Sequence, residues 1–467
     1  MQSLLRLVTA SVVAVGLITP GMALAQDRTV PDSRQEMQLS FSPLVKQTHG
    51  SVVNVYAERK VQRSASPFGG DPFFEQFFGQ QFPTRTQKQE SLGSGVIVEA
   101  NGTIVTNNHV VEGADDIKVA LSDGREFPCK VLLKDKSVDL AVLKIETDER
   151  FQPIKLGNSD SAEVGDLVLA IGNPFGVGQT VTSGIVSGLA RNQITDGDFG
   201  FFIQTDASIN PGNSGGALMN MKGELIGLNT AIFSRGGGSN GVGFAIPANL
   251  VKVFLAAAEN GDKSFERPYV GASFDPVTSD VAEALGLEHV LGALVVKVVP
   301  GGPADKAGLK SGEVITAVDG VTVEHPDALA YRLTTTGIGK SVDLTVMDNG
   351  RKTSVELPLA GAPETVPADA RTLSGRSPFA GAKVANLSPK LAIAMRLPVD
   401  STGVVIEDFD DNSTAAQLGF AKGDIILSVN GQDVGSTKDM AAIAASSPRY
   451  WRVAVSRGGQ VIQQIFR

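Results

Sequence analysis

Residues 210–216 read Asn-Pro-Gly-Asn-Ser-Gly-Gly, and this stretch decides the fold class. A serine that attacks a carbonyl group must project from a tight turn, with backbone amides aimed at the developing oxyanion. Glycines on both sides of Ser214 permit such a turn, because they adopt positive φ and allow close approach. The backbone of Gly212, Asn213 and Ser214 is therefore the predicted oxyanion hole, with the amides of Gly212 and Ser214 as donors. Taken alone, the same letters also fit an ordinary hairpin turn.

A base and a carboxylate for this serine can be chosen from the rest of the chain, which has four histidines. His109 follows the β-like run 103–106, where a strand end passes into a loop. Asp139 precedes the apolar run 140–145, and a carboxylate buried there needs a donor such as a histidine ring N–H. Each residue alone fits a structural role. In the order His109, Asp139, Ser214 they predict a catalytic triad of the two-barrel type.

The surroundings of these residues are rich in short β-like runs separated by glycine, asparagine and proline. Regular spacing of this kind predicts a barrel or a sandwich. Residues 247–258 predict a helix that closes the domain, because a proline opens a periodic apolar pattern. The predicted strands are 51–57, 95–98, 103–106, 117–121, 140–145, 166–171, 184–189 and 224–229.

A long insertion occupies residues 63–89 of this β-rich region. It is rich in Phe, Gln, Gly and Pro, and it includes Phe73, Phe74, Phe77 and Phe78. Loops of this length are usually functional or disordered. The phenylalanines favour a lid or a partner-contacting role over a local cluster.

Beyond residue 261 the chain repeats itself. Residues 304–320 and 415–431 carry glycines at matching positions, which predicts two copies of one small domain over 261–361 and 379–467. Residues 362–378, rich in Pro, Ala, Thr and Ser, are the predicted linker.

Each copy opens with a similar turn that could bind a peptide. The first turn is Tyr269-Val270-Gly271-Ala272, and its counterpart spans residues 379–382. Such a turn can aim backbone N–H groups at a C-terminal carboxylate, while the next strand offers its edge for strand addition. Peptide binding is favoured over a structural role for the first copy. For the second copy, peptide binding and a role in assembly both stay open.

The composition and the first 25 residues favour an exported globular protein. Of 467 residues, 42% are hydrophobic and the formal net charge is −9, which argues against nucleic-acid binding. Arg6, an apolar run over 7–17 and Ala-Leu-Ala at 23–25 predict a signal peptide over 1–25, rather than an uncleaved anchor. The predicted location is the periplasm, with at most peripheral membrane association. The single Cys129 predicts a structural residue, and no cofactor or metal pattern is found.

Three motifs together carry a family resemblance. They are T-N-N-H-V-V at 106–111, S-V-D-L-A-V-L at 137–143 and G-N-S-G-G-A-L at 212–218, followed by the two repeats. The chain closely resembles the HtrA/Deg (Do-like) family of exported serine proteases over nearly its whole mature length. The resemblance implies a mainly β fold, with a chymotrypsin-like double six-stranded β-barrel protease domain over 26–260 followed by two PDZ domains. It implies that Ser214 is the nucleophile, His109 the base and Asp139 the group that orients it.

The resemblance also implies a function and further site residues. Ile209 would shape the pocket for the residue before the cut, favouring small aliphatic side chains. Arg191 would lie in the loop that senses the first PDZ domain. The implied activity is ATP-independent endoproteolysis of misfolded or unfolded exported proteins, by trimers or multiples of trimers. Two alternatives stay open: a chaperone-like binder that rarely cuts, and a regulatory protease that cuts one partner after PDZ recognition of its C-terminus.

Overall fold

The computed structural model describes residues 40–64, 84–173, 178–191, 201–232, 239–287, 289–398, 400–446 and 448–466. The predicted signal peptide therefore lies outside the described residues, as does most of the insertion, 65–83. Within the described ranges, no helix combines the length and apolar character needed to cross a membrane.

The first barrel closes around an apolar core between residues 52 and 145. Its strands pair in the closed order β1-β2-β3-β6-β5-β4. Apolar side chains of alternating positions fill the interior, including Val55, Ile97, Ile104 and Leu143, all fully buried. The elements are α1 (Ser42–Thr48), a 3₁₀ turn (His49–Ser51), β1 (Val52–Ser64), β2 (Thr84–Glu99), β3 (Thr103–Thr106), α2 (Asn108–Val111), β4 (Asp116–Ala120), β5 (Glu126–Asp135) and β6 (Leu140–Ile145).

The second barrel is formed by a ring of strands closed through the pairing of β11 with β12. Its order is β11-β8-β9-β10-β13-β12, with β7 added in parallel to β12. Helix α3 follows at once and packs on both barrels. The elements are β7 (Lys155–Leu156), a 3₁₀ turn (Ser159–Ser161), β8 (Leu167–Gly172), β9 (Thr180–Arg191), β10 (Phe202–Thr205), β11 (Ala217–Asn220), β12 (Glu224–Ile232), β13 (Gly243–Pro247) and α3 (Ala248–Glu259).

The third domain is a small antiparallel sheet flanked by helices. Its strand order is β14-β15-β16-β18-β19, so β14 is an edge strand, and helix α6 lies beside it. Its elements are β14 (Ala272–Pro276), α4 (Ser279–Ala284), β15 (Ala293–Val298), α5 (Pro303–Ala307), β16 (Val314–Val318), β17 (Val321–Thr322), α6 (Pro326–Thr336), β18 (Ser341–Asp348) and β19 (Arg351–Pro358).

The fourth domain repeats this arrangement with one addition, a short strand β20 that pairs with β21. Its strand order is β20-β21-β22-β23-β25-β26. The elements are β20 (Arg371–Thr372), β21 (Ala382–Asn386), α7 (Pro389–Ala394), β22 (Val404–Phe409), α8 (Thr414–Gln417), β23 (Ile425–Val429), β24 (Gln432–Asp433), α9 (Thr437–Ala445), β25 (Trp451–Arg457) and β26 (Gln460–Phe466).

The predicted fold class is confirmed, since two closed barrels precede two copies of a PDZ-like domain. The sequence predicts a loop over residues 63–89, but the two ends of that segment pair as antiparallel strands. The pairing runs from Arg59 opposite Gln89 to Ser64 opposite Thr84. The structure also differs from the expected linker at 362–378. Residues 371–372 form β20, and Leu373 is buried in the core of the fourth domain. An apolar side chain and main-chain pairing hold this part of the segment in place.

Candidate active site

His109 lies on the short helix α2, directly after β3 of the first barrel. The sequence predicts a loop at this position, and the structure has one turn of helix there instead. The His109 backbone N–H donates to Asp139 Oδ1 at 3.0 Å, and ring Nδ1 lies 2.8 Å from Oδ2. With Nδ1 facing a carboxylate, the ring carries its proton there and leaves Nε2 as the free base. The side chain is 46% exposed, so a substrate can reach it.

Asp139 occupies a strained backbone position immediately before β6. Its φ is +51°, a left-handed value that aspartate tolerates better than most residues. The Asp139 carbonyl oxygen accepts from the Asn108 N–H at 3.1 Å and from Asn107 Nδ2 at 3.0 Å. Its carboxylate accepts from His109 and, at 2.7 Å, from Thr230 Oγ1. The predicted need for donors is met by two residues rather than one.

Ser214 stands on a turn between β10 and β11 of the second barrel. The Asn213 N–H donates to the Asn210 carbonyl at 2.9 Å, and Gly212 has φ +94°. With Pro211 before a positive-φ glycine, this is a type II turn. Within the described residues, the amides of Gly212 and Ser214 donate to no acceptor, whereas that of Asn213 is used by the turn. The amide of Asn213 is thus spent on the turn, whereas those of Gly212 and Ser214 stay available to a substrate oxygen in the described part of the chain.

Ser94, on β2 of the first barrel, holds the serine turn through two hydrogen bonds, which form the Ser94 clamp. Its N–H donates to the Ser214 carbonyl at 2.8 Å, and its Oγ donates to the Gly212 carbonyl at 2.7 Å. The Ser94 carbonyl accepts from Thr106 Oγ1 at 2.7 Å. A Cβ added to Gly215 would lie 2.0 Å from that same Ser94 oxygen, so only glycine fits. The clamp fixes where the two barrels meet around the serine.

The hydroxyl of Ser214 donates to the Thr230 carbonyl oxygen at 3.1 Å. No hydrogen bond joins Ser214 to His109 in the described part of the chain. Thr230, on β12, thus contacts the serine through its backbone and Asp139 through its side chain. Proton transfer requires the Ser214 hydroxyl to leave the Thr230 carbonyl and to donate to Nε2 of His109.

The side-chain amide of Asn213 is buried without a hydrogen-bond partner among the described residues. It is 1% exposed, and neither Oδ1 nor Nδ2 has a hydrogen-bond partner among the described atoms. A buried amide without partners costs free energy, of the order of 1–3 kcal/mol for each unsatisfied group. The hydrogen bonds from Ser94 hold the turn in place around this buried side chain.

The two residues expected to tune the protease site lie at different places. Ile209 is 1% exposed, belongs to the core of the second barrel, and packs so closely on Gly243 that a Cβ there would lie 2.8 Å away. Any effect of Ile209 on the pocket for the residue before the cut would therefore come from its place in the wall of the second barrel. Arg191 ends β9, and its backbone is opposite Phe202 of β10. The segment that follows, 192–200, lies outside the described residues.

The third domain packs on the second barrel through helix α6. Tyr331 of α6 is fully buried and stacks on Phe201, with ring centroids 3.8 Å apart and planes 6° from parallel. Its hydroxyl donates to Asp160 Oδ1 at 2.8 Å, and Arg332 pairs with the same carboxylate at 2.6 Å. Burial raises the pKa of Tyr331, so its hydroxyl stays a donor.

The turn at residues 269–272 of the third domain, predicted to bind a carboxylate, is held by three main-chain hydrogen bonds. The Tyr269 N–H donates to the Ala360 carbonyl at 2.8 Å, and the carbonyls of Val270 and Gly271 accept from neighbouring amides at 2.9 and 2.8 Å. Gly271 has φ +70°. Within the described residues, the amides of Val270 and Gly271 donate to no acceptor. Ala272 then opens the edge strand β14.

Sequence reasoning missed Ser94 and Thr230. Ser94 stands between two glycines, a pattern of close backbone approach that could have been noticed. Thr230 gives no such signal, because threonine is ordinary in a strand.

Among the described residues, no group of three His, Cys, Asp or Glu side chains could hold a metal ion. The expectation of no cofactor and no metal stays a prediction. Cys129 on β5 is partly buried, which raises the pKa of its thiol to about 12.

Comparisons with known proteins follow the same division of the chain. Residues 93–228 match a trypsin-like peptidase domain, and residues 268–359 and 405–449 each match a PDZ domain. Periplasmic serine endoprotease DegP of Escherichia coli K12 is 36% identical, covering 97% of both chains. A probable periplasmic serine protease do/HhoA-like of Haemophilus influenzae is 37% identical, covering 95% of this chain and 94% of its own. The solved HtrA-type protease AlgW with decapeptide is 40% identical, with a TM-score of 0.53, covering 70% of this chain and 99% of its own.

Proposed function

The chain belongs to the HtrA/Deg family of serine endoproteases, and we propose that it degrades unfolded exported proteins that its first PDZ domain captures. It is a serine endopeptidase with a trypsin-like domain and two PDZ domains. The comparisons favour general endoproteolysis over cleavage of one specific partner. Relatives named as periplasmic support a periplasmic location.

One observation carries the chemistry: the carboxylate of Asp139 holds His109 Nδ1 at 2.8 Å, beside a serine turn in which the amides of Gly212 and Ser214 donate to no described acceptor. Ser214 Oγ attacks the scissile carbonyl while His109 Nε2 takes its proton. The negative oxygen of the tetrahedral intermediate accepts from the amides of Gly212 and Ser214. His109 then gives the proton to the leaving amine, and water repeats the sequence on the acyl-enzyme.

Substrate capture rests on the turn at residues 269–272 and on the edge of β14. An extended chain could add to β14 as a further strand while its carboxylate accepts from the amides of Val270 and Gly271. The relative AlgW was solved with a decapeptide, which is consistent with peptide capture in this family. We extend the proposal to assembly as trimers or multiples of trimers, and to holding of unfolded chains without cutting.

The test compares Ser214→Ala with Ser208→Ala on unfolded casein. We expect the first variant to lose turnover and the second to keep it, with unchanged thermal unfolding in both. Normal turnover by Ser214→Ala would remove the proposed nucleophile. Suppression of aggregation by Ser214→Ala, and its mass by light scattering, test holding and assembly separately.

A further inference from the structure

The two PDZ copies differ at the edge where a peptide would bind. In the first copy, the outer edge of β14 pairs with no described strand. In the second copy, the matching strand β21 is covered by β20, with Arg371 opposite Val384 and Thr372 opposite Lys383. The covering strand comes from the segment that joins the two copies.

This segment runs antiparallel to β21 over residues 367–373, with β20 at 371–372 as its extended part and a left-handed backbone at Asp369, where φ is +40°. At one end, Asn386 donates its N–H to the Ala368 carbonyl at 2.8 Å and its Nδ2 to the Pro367 carbonyl at 3.0 Å. At the other end, the Leu373 N–H donates to the Ala382 carbonyl at 2.8 Å. Main-chain bonds at both ends, with strand pairing between them, are how a peptide adds to a sheet edge.

The end of the segment lies in the carboxylate-binding turn itself. The Gly381 N–H donates to the Leu373 carbonyl at 2.8 Å, whereas its counterpart in the first copy, the Gly271 N–H, has no acceptor among the described residues. Both glycines have a left-handed backbone, with φ of +86° and +70°. A left-handed glycine is thus common to both turns, and the turn of the second copy is already occupied.

The side chains of the segment fit the groove as those of a ligand would. Leu373 is 3% exposed and belongs to the core cluster that contains Phe379 and Met440. Asp369 accepts from Thr437 Oγ1 at 2.9 Å, at the start of α9, the helix that borders the groove. One apolar and one acidic side chain thus anchor the segment between β21 and α9.

We infer that residues 367–373 are an internal ligand of the second PDZ domain, and that the groove beneath them binds peptides whose last residue is apolar. The inference deepens the proposed peptide capture, because it assigns capture in the resting chain to the first copy. A tethered ligand has an effective concentration of about 1 mM, so a free peptide must compete against it. Weakening the segment should convert the second copy into a second peptide site.

The single tryptophan of the chain makes the second copy observable by itself. Trp451 opens β25 in the same core and meets Phe379 edge-on, with ring centroids 6.3 Å apart. The probe is the peptide Ala-Asp-Ala-Arg-Thr-Leu, the sequence of residues 368–373, with a free carboxylate. Its amide-capped form is the control ligand. All measurements use the full chain carrying Ser214→Ala, so that the peptide is not cut.

We expect no change in Trp451 emission when the peptide is added to the parent chain. In Leu373→Ser, loss of the buried side chain should weaken the segment about tenfold to a hundredfold and give a saturable change. The matched control Leu397→Ser removes a half-buried leucine beside α7, from the second apolar cluster of the domain, which the segment meets through Ala368 and not through Leu373. It should leave the groove closed.

A second variant tests the idea without altering the core. A cleavage site for a specific protease, inserted between the exposed Gly375 and Arg376, cuts the tether and leaves Leu373 in place. After cutting, the free peptide should release the 376–467 fragment at least tenfold faster than the amide-capped peptide does. Equal release by both peptides, or saturable binding to the uncut parent chain at Trp451, would overturn the inference. Calorimetric binding to the first copy, altered by neither variant, reports separately on the proposed capture function.

Discussion

Replacement of Thr230 by valine isolates one hydrogen bond of the catalytic site. The Thr230 side chain donates to Asp139 Oδ2 at 2.7 Å, and its backbone carbonyl accepts from the Ser214 hydroxyl at 3.1 Å. Valine keeps the carbonyl and nearly the same shape, so only the bond to the carboxylate is lost. The residue is 6% exposed, so water has little room to replace the hydroxyl.

The size of the effect follows from the charge on the acceptor. Hydrogen bonds to charged groups contribute about 1.5–3 kcal/mol. Asp139 keeps both His109 donors, at 3.0 Å from the backbone and 2.8 Å from the ring, so the triad remains assembled. If the loss falls on the transition state, in which the imidazolium needs its carboxylate most, kcat/KM should fall about 10- to 100-fold.

The assay is cleavage of a fluorogenic peptide by Thr230→Val and Thr230→Ser, with the melting temperature of each variant as a fold control. The serine variant retains a hydroxyl in reach of Asp139 and should stay within about threefold of the parent. A valine variant as active as the parent would show that the bond contributes nothing to the reaction. Equal losses in both variants would trace the effect to packing.

Three further predictions concern the turn, the interface and the closing helix. Gly215→Ala should abolish cleavage and lower the melting temperature, because the new Cβ would lie 2.0 Å from a backbone oxygen and φ is +81°. Tyr331→Phe, which keeps the ring stack but loses the bond to Asp160, should speed amide exchange in α6 measured by mass spectrometry, by about tenfold. Hydrogen bonding and proximity to Glu99, together with burial, raise the pKa of Glu259. The raised pKa of Glu259 makes its own contribution to stability fall as pH rises, whereas the same hydrogen bond lowers the pKa of Glu99, whose contribution rises with pH. Glu259→Gln removes the first trend, so it should melt about 1–2 °C higher at neutral pH and lose that advantage in acid.

Much of the architecture could be predicted because its signals are local. Glycines around Ser214 specify the turn, and the apolar run after Asp139 specifies the strand that presents it. The order of the triad then selects a two-barrel fold. The strand β5 (Glu126–Asp135) was missed, since most of its side chains are exposed and its composition carries little β signal.

The parts that could not be predicted depend on tertiary contact. Thr230 meets Asp139, 91 residues away in sequence, only because the second barrel packs on the first and brings β12 alongside it. The sequence predicts the amides of Gly212 and Ser214 as oxyanion donors, and only the observed turn shows that the Asn213 amide between them is spent on the Asn210 carbonyl. Sequence spacing says which residues are near the site, whereas the direction of each N–H needs coordinates.

The segment that joins the two PDZ copies is another part of the fold that could not be predicted from the sequence. Residues 362–378 have the composition of a linker, and composition alone gives no reason to expect a strand there. Leu373 is the one aliphatic side chain between Val366 and Phe379 larger than alanine and other than proline, and it is the one that the groove buries. A single apolar residue at the right distance from a carboxylate-binding turn can thus convert a flexible connection into a ligand. Both turns hold a glycine with a left-handed backbone, and they differ in the segment that precedes them in the chain. A change in those few residues would therefore be sufficient to alter how many peptides one chain can hold.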